Sequence, residues 1–123
     1  MRRLNLKNMS VAELVDRFVA LGLGQFQAEL HGEIAKNNRL IRQMWDVTDE
    51  LKSRPGDQRS ALLPLFDHPN VQVRLMAARL TLAVAPAAAR QMLEEIKESK
   101  EYPQAMDAGM SLWALDEGIF TPT

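Results

Sequence analysis

The run Val71–Val84, VQVRLMAARLTLAV, limits the fold more than any other stretch: only Gln72, Arg74, Arg79 and Thr81 interrupt its apolar residues. A helix apolar on nearly every side must have neighbours on more than one face. The turn signal DHPN stands immediately before it. The run therefore reads as an inner helix with others stacked around it.

The flanking sequence supplies those other helices. Ser10 followed by Glu13 has capping-box spacing, so a helix starts there, with Val11, Leu14, Val15, Phe18 and Val19 gathered on a core face. Gly22 and Gly24 predict a break. From Gln25 to about Leu51 the period continues through Phe26, Leu30, Ile34, Ile41, Met44 and Trp45 as one long helix, with Gly32 marking a bend. SRPGDQ, from Ser53 to Gln58, is the strongest loop signal, and Asp57 can cap a new helix after it. Further helices are expected over 57–66, 71–84, 86–100 and 103–117, with Pro86 and Pro103 opening their first turns. No stretch alternates as a strand does. The expected fold class is all-α, about six helices in a right-handed stack of antiparallel pairs, without a sheet. At 123 residues the chain fits a single domain, with residues 1–54 as a cap on two helix pairs in 55–123.

LLPLFDHPNVQVRLMAARLTL resembles the HEAT-type helical repeat, in which a proline turn joins a first helix to a Val-Arg-x-x-Ala-Ala second helix. Pro64, Pro69, Val73, Arg74, Ala77, Ala78 and Leu82 carry the resemblance, and KEYPQAMDAGMSLWAL repeats it loosely. In that family the arginine pairs with a turn aspartate. His68 occupies the aspartate's position and Asp67 lies one residue earlier, so the resemblance implies an Asp67–Arg74 pair. The full sequence also resembles a small bacterial family catalogued as a domain of unknown function.

Composition narrows the functional classes. There is no cysteine, hence no disulfide framework and no thiolate chemistry. A formal charge of −1 gives no general attraction to DNA or anionic lipid. The start, with Arg2, Arg3 and Lys7 but no apolar core, does not read as a secretory signal, and charge breaks every apolar run short of a membrane span. A cytoplasmic protein is expected.

His31 and His68 have no partners at metal-ligand spacing, and His68 reads as a turn cap. The carboxylates Asp46, Asp49 and Glu50, and Glu94, Glu95, Glu98 and Glu101, read as solvated helix faces. No phosphate loop, nucleophile elbow or triad context occurs, so neither an enzyme nor a cofactor is expected. Lys36, Arg39 and Arg42 form a basic stripe, continued by Lys52, Arg54 and Arg59 around the loop. Trp45 and Trp113 are expected in the core, as are Met76, Met92, Met106 and Met110, with Ile119 and Phe120 folding back as a cover.

The leading expectation is a non-enzymatic scaffold that binds another protein, of a regulatory or immunity type, through polar positions of its second helices: Gln72, Arg79, Gln104, Asp107 and Ser111. Arg74 is assigned to internal pairing. A homodimer is compatible with a short helical stack. Nucleic-acid binding through Lys36, Arg39, Arg42 and Arg59 ranks second, and an enzyme of unrecognised mechanism third.

Overall fold

A computed structural model describes residues 5–123; Arg2 and Arg3, part of the basic start, lie outside the described residues. Among the described residues there are five α-helices, two 3-10 segments and no strand. The helices are α1 (Val11–Leu30), α2 (Ile34–Ser53), α3 (Val71–Leu80), α4 (Pro86–Glu98) and α5 (Gln104–Asp116), and the 3-10 segments are Leu6–Asn8 and Gln58–Asp67. The chain divides into two compact units, the first ending at Ala61 and the second beginning at Leu62.

The first unit is an α1–α2 hairpin. At its start the Ser10 Oγ accepts from the Glu13 amide at 3.1 Å and the Glu13 carboxylate accepts from the Ser10 amide at 2.8 Å, the expected capping box. That amide donor holds the Glu13 carboxyl below its ordinary pKa. Leu14, Phe18, Leu21, Gln25 and Ala28 recur every three or four residues and are buried; Met44, Val47, Thr48 and Leu51 form the buried face of α2. Inside it, the Gln25 amide nitrogen donates to the Met44 sulfur at 3.5 Å.

The predicted break at Gly22 and Gly24 does not occur, because α1 runs through both. The roughly 1 kcal/mol cost of a helical glycine is outweighed by the apolar face packed beside it. Gly24 instead lets α2 come close, since a Cβ there would lie 3.1 Å from Leu40 Cδ1. The chain breaks at Gly32, so the single helix expected from Gln25 to Leu51 is split. Gly32 has φ +66°, its amide donates to the Glu29 carbonyl, and the Glu33 amide donates to that of Ala28 at 2.8 Å. That pair of bonds is a Schellman ending, which favours glycine at this position.

After α2, the positive φ of Gly56 and Asp57 turns the chain. The Asp57 carboxylate then accepts from the Arg59 amide at 3.3 Å and from its Nε and Nη2 at 2.9 and 2.7 Å. Asp57 thus caps a helix, but a 3-10 one: Pro64 sits inside Gln58–Asp67, where an α-helix would suffer its missing donor and a ring clash with the carbonyl four residues back.

In the second unit the turn before α3 is built from side chains. The Asn70 amide donates to His68 Nδ1 at 3.0 Å, and the Asn70 side chain caps α3 by accepting from the amides of Gln72 and Val73. The Asp67–Arg74 pair does not form. Arg74 Nη1 donates to the carbonyls of His68 (2.8 Å) and Pro69 (3.0 Å), and Nη2 meets Glu101 at 3.3 Å. The arginine still closes the turn, through backbone oxygens that lie nearer than the Asp67 carboxylate.

As expected, α3 is the inner helix of this unit, with Val71, Val73, Leu75, Met76, Ala77 and Ala78 buried and both α4 and α5 packed against it. It stops at Leu80, short of Val84. Buried Thr81 bonds back to the Ala77 carbonyl at 2.7 Å, and the chain then turns toward Pro86, the first residue of α4. Arg90 holds α4 to α5 through Asp116 at 2.8 Å while also pairing with Glu94. Gly118, with φ +70°, ends α5 in the same manner as Gly32 ends α1: its amide donates to Leu115 and that of Ile119 to Ala114. Ile119 and Phe120 beyond it remain exposed and do not form the expected cover.

Candidate interaction face on helix α5

Helix α5 carries two apolar stripes, one covered and one exposed. Ala105, Ala108 and Leu112 are buried toward α3 and α4, whereas Met106, Met110 and Trp113 are 60%, 61% and 56% exposed. Tyr102, just before the helix, is exposed at the same end. These side chains line one wall of a shallow groove of about 650 Å³, whose other wall is Lys97, Glu98 and Lys100 at the end of α4. Gly109 forms its floor: a Cβ there would lie 3.8 Å from Lys97 Cγ and Cδ, so the lysine's aliphatic stem lies across the glycine.

This corrects the expectation that Trp113, Met106 and Met110 belong to the core. Trp45 is likewise 53% exposed, on α2. Periodicity alone assigns a large apolar residue to a face, but it does not say whether that face is covered. The missed signal is that α5 carries two apolar stripes, of which α3 and α4 cover the one formed by Ala105, Ala108 and Leu112.

The five polar positions expected to meet a partner are divided by the structure. Gln104 is buried, and its amide nitrogen donates to the Gln72 side-chain oxygen at 3.1 Å; this pair joins α5 to α3 inside the second unit instead of facing outward. Arg79 and Asp107 are exposed and Ser111 is half-buried. The surrounding protein removes water from the Asp107 carboxyl and raises its pKa, while the positive charge of Arg79 acts in the opposite direction. Arg79, Asp107 and Ser111 are not among the residues that line the groove.

The basic set is divided too. Lys36, Arg39 and Arg42 are exposed on α2 and take part in no ion pair among the described residues. Arg59 is buried and held by Asp57, which removes it from any basic surface. Its hydrogen bonds hold the Asp57 carboxyl below the ordinary aspartate range. Arg54 bonds Glu50 at 2.9 Å and the Leu6 carbonyl at 3.1 Å. Pro64 and Pro69 are exposed and shape the backbone. Among the described residues, no three His, Asp or Glu side chains gather as metal ligands would, and no helix is long and apolar enough to cross a membrane.

These features define a small all-α protein with an uncovered apolar helix face. The chain belongs to the family described as Domain of unknown function (DUF2019), which matches residues 12–116. It is similar to the protein RPA1889 from Rhodopseudomonas palustris CGA009, whose crystal structure has 52% sequence identity and a TM-score of 0.95, covering 98% of this chain and 100% of that one. No curated protein matches it.

Proposed function

We propose that this protein is a non-enzymatic, cytoplasmic binding module of HEAT-like helix pairs whose outer α5 face docks another protein of a regulatory or immunity type. One observation carries the reading: Met106, Met110 and Trp113 are exposed in a row beside a groove. Soluble proteins rarely leave a contiguous apolar patch uncovered, and methionine and tryptophan suit adaptable, high-energy contacts. Arg79 and Asp107, both exposed, and half-buried Ser111 are proposed as polar contacts that accompany this face. A photo-crosslinking residue placed at Met110 in living cells tests the reading. An adduct at that position, absent when the same residue replaces exposed Gln91 on α4, is the expected result; no adduct from positions 106, 110 and 113 counts against it.

A second reading rests on α2, where exposed Lys36, Arg39 and Arg42 run toward exposed Trp45. Positive charge beside an aromatic ring suits single-stranded nucleic acid. Arg39→Glu with Arg42→Glu should then abolish a salt-dependent affinity; an affinity unchanged by either the substitutions or salt excludes it.

A further inference from the structure

The sequence has no cysteine, so methionine sulfur is its most readily oxidised side-chain atom. Of its seven methionines, Met1 lies outside the described residues, and the others differ sharply in their access to solvent. Met44 and Met76 are buried and Met9 and Met92 are half-buried. Among the described methionines only Met106 and Met110 are exposed. They lie four residues apart, on one face of α5, and line the same groove as Tyr102 and Trp113.

We propose that Met106 and Met110 form a reversible oxidation site, which turns the outer face of α5 from apolar to polar and so ends its docking. The last step rests on the protein-binding reading above and names its regulation. The oxidant is hydrogen peroxide. A sulfur lone pair attacks one peroxide oxygen, the O–O bond breaks as the S–O bond forms, and the second oxygen leaves with both protons as water. Sulfur loses the two electrons that the peroxide gains. A thiol-dependent methionine sulfoxide reductase reverses the step, two thiols becoming a disulfide while the oxygen leaves as water. Each sulfoxide places a strong acceptor on a side chain that had been apolar, the change that disrupts methionine-rich contacts. Lys97 and Lys100 line the same groove and take part in no ion pair among the described residues, so they are donors that a sulfoxide oxygen uses and a thioether uses poorly.

Peptide mass mapping of the full chain during hydrogen peroxide treatment tests the chemistry. One added oxygen is expected at each of Met106 and Met110 before Met9, Met92, Met44 or Met76 takes up any, with helical content unchanged and the added mass removed by the reductase. Oxidation of Met9 or Met92 at the same rate, or a loss of helical content that accompanies the two added oxygens, overturns the site. The regulation is read from the photo-crosslinking residue at position 113 in cells. A peroxide pulse should abolish the adduct, whereas Met106→Leu with Met110→Leu, which keeps the face apolar and takes up no oxygen, should retain it through the pulse. An adduct that survives although both methionines carry oxygen, or one that the double variant also loses, overturns the regulation and leaves the protein-binding reading standing. If no adduct forms from positions 106, 110 and 113 before any pulse, that reading fails and the docking step with it, while mass mapping still decides the oxidation site.

Discussion

The Gln104 side chain donates to the Gln72 side-chain oxygen at 3.1 Å, joining the first turn of α5 to the first turn of α3. A buried amide that keeps a partner contributes to holding the helices in register, whereas a buried amide stripped of one is costly. Gln104→Ala is expected to lower stability by about 1–3 kcal/mol, read from denaturant midpoints. Crosslinking at Met110 should persist, since α5's outer face is untouched. A neutral substitution would show that the pair holds nothing.

The two tryptophans separate core from surface. Leu93, fully buried on α4, should cost about 2–5 kcal/mol when replaced by alanine, through lost burial and a residual cavity. Trp113→Ala and Trp45→Ala should cost only about 1–2 kcal/mol each, because half of each ring is already in water. Of the two, only Trp113→Ala should weaken association. Equal losses at Leu93 and Trp113 would return Trp113 to the core.

Asp57 and Asp107 respond to pH in opposite senses. The Asp57 carboxyl is lowered by hydrogen bonds from Arg59, so its stabilisation is complete above the ordinary aspartate pKa and is lost as pH falls through its depressed value. Asp57→Asn, which tolerates the local φ of +50°, should lower Tm at neutral pH and match the wild type in strong acid.

Asp107 is raised by desolvation, so its charged form destabilises the fold. The penalty is absent below the ordinary aspartate pKa and grows as pH rises through the raised value. Asp107→Asn should therefore raise Tm at neutral pH and change nothing in acid, and Arg79→Gln should lower Tm at neutral pH because that charge offsets the penalty. A Tm difference that does not vary with pH would refute the assignment.

Gly32→Ala isolates backbone strain: nothing lies within 4 Å of the added Cβ, but φ is +66°. A loss of about 1–2 kcal/mol is expected from the left-handed conformation alone. Thermal unfolding of this variant beside Gly32→Asn, which should lose less, checks it.

Much of this architecture is legible in local sequence. The Ser10–Glu13 cap, the Pro55–Gly56 turn, Pro86 as the first residue of α4 and Gly118 as the stop of α5 each depend on neighbours within a few residues. Two glycines gave the wrong break, because a buried helix interface can override propensity at Gly22 and Gly24 but cannot supply the left-handed turn that Gly32 makes.

The candidate site was legible only in part. Arg79, Asp107 and Ser111 were found as polar positions on second helices, yet Gln104 turned inward to Gln72 and Arg59 to Asp57, since a polar side chain can be buried only where the fold supplies it a partner, and spacing does not show which positions have one. Periodicity alone sufficed for the all-α class and for α3 as an inner helix, because an apolar circumference has to be covered whatever covers it. Only the tertiary structure decided that Met106, Met110 and Trp113 stay in solvent: which of α5's two apolar stripes is covered depends on where α3 and α4 lie, and no spacing within α5 encodes that.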